Sequence, residues 1–351
     1  MKINKKILIC VGTGGVGKTT IAAALGIQAA KEGQKVLVLT IDPSQRLAQA
    51  LGIDKSQGIR KVDNQDFSGE LYASVVHHQE MFDGLIKRAA VRYPGVIKLL
   101  ENKLYKQLTT SLSGSQEFTS LEALYLAYQS NEYDLIVLDT PPSKHVLDFL
   151  KAPQKLIEIL NKSVVEWLSD SHQSQVGLFK KILQQGTQMV LKILENLTGK
   201  EFISHLAQFF AHLGDWQGQL QERIINMQKL LFSENVQFIM ITGPSIPHLA
   251  ESQSLQREMQ KNGATLKSIY VNKAFPSWYL KAKAQNWELK GLASELKSFF
   301  DGQDILLKKF EQEQSPEISI YRIPEIEFDI KDFESLKKFT QTTFIGSIKN
   351  V

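Results

Sequence analysis

The sequence predicts an α/β fold, a doubly wound and mostly parallel β-sheet carrying a large helical insertion subdomain. Three observations lead there. Short apolar runs alternate with helical patterns along most of the chain. Most of those runs are continuously apolar, as strands of a parallel sheet covered on both faces are. Two stretches then lose the alternation and read as amphipathic helix without a clear strand.

Taken in order, KKILICV is the first strand. The lysines of MKINKKILICVG precede an apolar run from Ile7 to Val11 only, too short for a signal peptide and without a cleavage site. Ile21 to Lys31 is helical by its alanine and leucine content, ends at Gly33, and is followed from Lys35 by the strand KVLVLTI, completing one βαβ unit. LYASVV is the next strand. Between Met81 and Ser130 the pattern is helical, with Thr119 and Glu122 placed as a capping box before LEALYLAY. DLIVLDT follows as a strand. The longer break runs from Pro153 to Phe232. Leu178, Phe179, Ile182, Leu183, Met189, Val190, Ile193, Leu194 and Leu197 recur there at three and four residues, as do Phe202, Leu206, Phe209, Leu213, Leu220, Ile224, Met227 and Leu231. VQFIMIT, LKSIYVN and ISIYRIP complete the strands, and Pro94-Gly95 and Asn262-Gly263 are turn signals. The expectation is one domain over residues 1–351 with helical insertions at 81–130 and 153–232.

The 351 residues are long for a single compact core, so either two domains or one domain with a large insertion is expected. A net charge of +4 from 41 basic and 37 acidic residues, without like-charge blocks, gives no footprint for nucleic acid. The single cysteine, Cys10, excludes an intrachain disulfide and a cysteine-built metal site, and suits a reducing cytoplasm. No apolar run approaches the roughly 18 residues of a membrane helix, so any membrane contact is expected to be peripheral.

GTGGVGKT, from Gly12 to Thr19, matches G-x-x-x-x-G-K-[ST] and lies between a strand and a helix. In such a loop the backbone N–H groups of Gly14, Gly15, Val16 and Gly17 turn toward an anion, and the helix start adds its positive end. Lys18 would neutralise β- and γ-phosphates, Thr19 would hold Mg²⁺, and Thr20 would touch the α-phosphate. Asp139 closes the apolar run LIVLDT, at the strand end where open α/β sheets bind ligands. It either holds a water on Mg²⁺ or caps the turn ahead of Pro141 and Pro142. Asp42 closes LTID before Pro43, and either orients an attacking water or caps the helix SQRLAQALG.

Other residues have plainer readings. His77 and His78 follow a strand, where neighbours point to opposite faces and cannot share an ion, so a surface role is expected. His145 is placed either to sense nucleotide or to pack. Lys144 and Arg46 are either solvated or positioned to supply positive charge near a γ-phosphate. The apolar stripes of the insertion are either a bundle core or a cargo groove.

Together these pieces resemble the ArsA family of P-loop ATPases, within the group that carries a deviant Walker A loop. GTGGVGKTT resembles the family's phosphate loop, TIDPSQRLAQALG its switch I, and LDTPPSKHVLDFLKAP its switch II, with His145 and Leu147 in matching places. VNKAFP resembles its adenine-recognition segment, which would put Asn272 on the base, with the loop around Pro324 packed against it. The resemblance implies ATP and ADP as ligands and Mg²⁺ as cofactor. It also implies a homodimer, or a heterodimer with a paralogue, that ATP closes and hydrolysis opens. Lys18, Asp42 and Asp139 would be its catalytic residues, and a hydrophobic or membrane-protein cargo would sit on the helical subdomain. Family roles include driving an arsenite efflux channel and shielding tail-anchored segments. This chain lacks the helical-region cysteines of the first and the C-x-x-C pair of the second. Thr13 stands where deviant loops carry a lysine that reaches the facing subunit's nucleotide, so slow hydrolysis is expected. A nucleotide-gated binding module with negligible turnover is the alternative, and a scaffold that binds no nucleotide is a third reading.

Overall fold

The computed structural model describes residues 6–41, 46–53, 58–62, 67–103, 105–106, 115–140, 143–160, 205, 208–209, 211–285 and 290–344. Its strands are β1 (Ile7–Gly12), β2 (Lys35–Thr40), β3 (Arg60–Lys61), β4 (Glu70–Val75), β5 (Leu135–Asp139), β6 (Val236–Thr242), β7 (Leu266–Val271) and β8 (Ser319–Arg322). They form one sheet in the order β3-β4-β2-β5-β1-β6-β7-β8. Every pairing is parallel except β3 against β4. All seven apolar runs are strands of this sheet. β3 had no apolar signal, because it is two exposed basic residues on the sheet's edge.

The helices are α1 (Lys18–Lys31), α2 (Arg46–Leu51), α3 (His78–Ala90), α4 (Ser115–Ser130), α5 (Ser143–Ile159), α6 (Gln217–Leu231), α7 (Ile246–Lys261), α8 (Ser277–Ala284), α9 (Leu292–Gln312) and α10 (Phe333–Phe344). None of the described helices is long and apolar enough to cross a membrane. The chain divides into two compact units. The first comprises residues 1–76, 124–150 and 230–351, and the second residues 77–123 and 151–229.

The first unit holds the sheet. Its middle strands are fully buried along their length, as expected of strands covered on both faces. α1 is buried nearly all round because it is built of small residues. A side chain at Gly26 would meet Val38 at 2.5 Å, so glycine lets the helix press onto β2. Leu336 and Phe339 of α10 join the same core and cover α1.

The second unit is helical in its described residues, and a buried carboxylate ties it together. Glu122 of α4 has no solvent exposure. It accepts hydrogen bonds from Arg88 of α3 at 2.9 Å and from both Nε and Nη2 of Arg223 of α6 at 2.8 Å. This corrects the capping-box expectation. α4 begins at Ser115, so Thr119 and Glu122 lie inside the helix, where the backbone N–H groups are already used. The Glu122 carboxylate is satisfied by guanidinium groups instead. Thr119 Oγ1 donates to Gln116 O at 3.1 Å and lies 2.6 Å from His78 Nδ1.

The histidine expectation is corrected too. His77 is the N-terminal cap of α3 and His78 its first residue, so they do not occupy strand positions. His78 is half-buried rather than on the surface, and burial lowers its pKa. Among the described residues no group of histidine, cysteine and acidic side chains could hold a metal. Of the insertion stripes, Leu213, Ile224, Met227 and Leu231 are buried. The stripe from Leu178 to Leu197, with Phe202 and Leu206, lies outside the described residues.

Candidate nucleotide site

The site is built where β1 ends. The register places Cys10 of β1 level with Asp139 of β5, and Thr40 of β2 level with the same residue. β5 stops there, so its last side chain emerges beside the loop that follows β1. β1 lies between β5 and β6, and the chain adds β2 on the β5 side before crossing to β6 on the other; such a switch point opens a crevice at the strands' C-terminal ends.

The loop leaves β1 through a glycine that nothing can replace. A Cβ on Gly12 would lie 1.9 Å from the backbone oxygen of Ile241, so the loop's first residue is pressed against β6. Gly14 and Gly15 are exposed, with open space where a side chain would stand. Val16 is buried and anchors the loop's far side. Gly17 is left-handed at φ 89° and starts α1, and a Cβ there would meet Asn272 Nδ2 at 2.6 Å. Thr20 is half-buried in the first turn of α1.

Polar contacts then join the predicted residues. Lys18 is 8% exposed, and its Nζ donates to the carbonyl of Thr13 at 2.8 Å across the loop's mouth. Thr19 Oγ1 donates to Asp139 Oδ2 at 2.6 Å, and Thr40 Oγ1 donates to the same oxygen at 3.0 Å. Thr140 Oγ1 donates to Cys10 O at 2.6 Å, which fixes the exit from β5 onto β1. Asp139 itself is wholly buried. Cys10 is buried and free, and its thiol is pushed well above the usual range by burial first and the Asp139 carboxylate second, against Lys18. It stays protonated and packs.

Asn272 lies just past β7. Its backbone N–H donates to Thr242 O at 2.8 Å, and its side-chain Nδ2 donates to Val16 O at 2.7 Å. The amide therefore buttresses the phosphate loop. Pro324, half-buried, follows β8 in a segment that runs beside residues 271–276. Asp42 lies outside the described residues, as do the side chains of Arg46, Lys144 and His145.

The resemblance puts Thr13 at the edge that faces a second subunit. In the single chain its side chain is completely buried, and its hydroxyl has no hydrogen-bond partner among the described residues. The cause is local: the press of Gly12 against β6 and the contact of Lys18 with the Thr13 carbonyl draw this part of the loop inward. Sequence reasoning also missed Thr40 and Thr140, although each stood beside a singled-out aspartate, in LTID and LDT.

A loop glycine locked against the sheet, a lysine over the loop mouth and a hydroxyl–carboxylate pair at the adjoining strand end are an arrangement that could hold a triphosphate. The family model for anion-transporting ATPases matches residues 5–343. The chain belongs to that family, the ArsA ATPases. As a member it is an ATP-binding, ATP-hydrolysing enzyme. It is 24% identical over 350 residues to a candidate arsenical pump-driving ATPase 2 of Aquifex aeolicus, covering 95% of this chain and 98% of that one. It is 25% identical over 292 residues to ATPase GET3B of Arabidopsis thaliana, covering 78% of this chain and 65% of that one. It is 32% identical over 163 residues to ATPase get3 of Aspergillus terreus, covering 46% and 47%.

Proposed function

We propose that the chain is a Mg²⁺-dependent ATPase switch in which nucleotide state controls closure of a dimer. The observation that carries the reading is the Thr19–Asp139 pair, 2.6 Å apart, one residue from Lys18. A hydroxyl and a buried carboxylate are hard oxygen donors of the kind Mg²⁺ takes, so the residues fit that ion. Thr19 would ligate it and Asp139 would hold one of its waters. The ion would supply charge neutralisation on the phosphate oxygens when bound.

The remaining roles belong to the chain itself. The N–H groups of Gly14, Gly15, Val16 and Gly17 cradle phosphate oxygens, and Thr20 meets the α-phosphate. Lys18 exchanges its loop carbonyl for the β- and γ-phosphates. Asp42 orients the attacking water. Asn272 and the Pro324 segment form the base end. Thr40 holds the Asp139 carboxylate in one rotamer, so the metal side is set before nucleotide arrives.

Hydrolysis is slow in this reading. Thr13 brings no cation to the loop, so charge that builds on the transferred phosphoryl group meets Lys18 and the metal, and any further cation must come from Arg46, Lys144 or a partner chain. The second unit, helical in its described part, would carry a hydrophobic or membrane-protein partner. Thiol capture of arsenite is not part of the proposal, because the one cysteine is buried in β1.

The test uses Asp42→Asn to hold ATP uncleaved. Solution mass and radius of gyration would be measured without nucleotide, with Mg-ADP and with Mg-ATP. The reading expects a doubled mass or a smaller radius per dimer with Mg-ATP only. Identical values in all three conditions would end the closure reading.

A further inference from the structure

We propose that Arg322 is a positioning residue for the nucleobase end of the ATP site, acting through the segment that carries Pro324. The inference rests on the ATP-site reading above and concerns a residue outside the phosphate loop.

β8 is a four-residue strand at the sheet's edge, with β7 as its only neighbour among the described strands. So short an edge strand holds its register weakly by backbone bonds alone. Arg322, its last residue, supplies an anchor. Nη1 donates to Asp304 at 2.5 Å, while Nε and Nη2 donate to the two oxygens of Glu311 at 2.7 and 2.9 Å. Both carboxylates stand on α9. Asp304 is buried and also takes Lys283 of α8 at 2.6 Å and Lys308 at 3.1 Å. The guanidinium lies over the ring of Phe275, 5.8 Å from its centre. Only arginine fits this place: its planar fork serves two carboxylates while its face lies on an aromatic ring.

The anchor is continuous with the site. Immediately after it, Ile323 N–H donates to Val271 O at 2.9 Å, Ala274 N–H to Ile323 O at 2.8 Å, and Glu325 N–H to Phe275 O at 2.8 Å. These bonds zip residues 323–325 along residues 271–275. Within the second of those segments Asn272 grips the phosphate loop through Val16 O. A chain of bonded groups thus runs from Asp304 and Glu311, through Arg322, to Pro324 and Asn272. Among the described residues Arg322 itself contacts no residue of the phosphate loop, and Pro324 follows it two residues on, so its influence falls first on the base end.

Two ligands separate the ends of the site. Mg-ATP uses both, whereas inorganic tripolyphosphate with Mg²⁺ uses the loop alone. Titration calorimetry would compare wild type, Arg322→Met, Arg322→Lys and Glu311→Gln, with Glu311→Gln sparing the buried Asp304 contact. The expected result is an ATP Kd raised about tenfold in Arg322→Met and less in the other two. Tripolyphosphate affinity is expected to stay within about twofold of wild type throughout. Unchanged ATP affinity in all three variants would overturn the proposal. Equal losses for ATP and tripolyphosphate would overturn it too, since Arg322 would then merely support the fold. A wild type that binds neither ligand would overturn the ATP-site reading itself, and this proposal with it.

Discussion

Glu122→Gln isolates the buried charge that ties the second unit together. Glu122 has no exposure and accepts three N–H donors, one from Arg88 and two from Arg223. Glutamine keeps the volume and one acceptor oxygen. It removes the negative charge and turns an NH₂ group toward a guanidinium. Breaking a buried ion pair from one side costs about 3–5 kcal/mol. Arg88 is 47% exposed in its side chain and recovers hydration, whereas Arg223, at 23%, recovers less. The lower end of that range, about 3 kcal/mol, is therefore expected. At about 2–4 °C per kcal/mol this lowers the melting transition by about 6–12 °C, read by scanning calorimetry at pH 7. Mg-ATP affinity of the folded variant should not change, because Lys18, Thr19 and Asp139 belong to the first unit. The double variant Glu122→Leu with Arg223→Met should regain most of the loss, to within about 1 kcal/mol, since an apolar pair needs no charge partner. A single variant within about 0.5 kcal/mol of wild type would mean that the Glu122 charge does not hold this unit together.

Two further outcomes can be checked in solution. Asp304 has a carboxyl pKa of about 2 against an ordinary 3.8: burial raises it, but hydrogen bonds from Lys283, Arg322 and Lys308 outweigh burial. A depressed carboxylate adds stability above its unfolded pKa and loses it as pH falls. About 2 kcal/mol should therefore vanish between pH 4 and pH 2, seen in urea midpoints, and Asp304→Asn should flatten that loss. Thr13→Val deletes a buried hydroxyl that has no partner among the described residues while keeping its shape, so stability should hold or rise by about 1 kcal/mol. Turnover should stay within about twofold, and a tenfold fall would mean the hydroxyl takes part in the reaction.

The middle strands were legible because burial on both faces forces continuous apolar runs, while toward the sheet's edge Lys267 of β7 and Ser319 of β8 are exposed. β3 was illegible for the opposite reason: two exposed basic residues pair only because β4 lies beside them. Lys18, Thr19 and Asp139 could be read one by one, but their meeting depends on register, with Asp139 level with both Cys10 and Thr40. Glu122 shows the limit of local patterns. Its spacing from Thr119 suits a helix start, and only arginines 34 residues before and 101 residues after it decide otherwise. Arg322 carried no sequence signal, because its partners lie on a helix that precedes it in the chain.

The loop from Gly12 to Thr20 should bind and cleave ATP with Lys18 over the phosphates. The most direct measurement is steady-state phosphate release from Mg-ATP by wild type and by Lys18→Ala, with both proteins shown to melt cooperatively. Wild type should turn over above the protein-free background, and Lys18→Ala should fall by about a hundredfold or to background. Equal rates in the two proteins would rule out that role for Lys18.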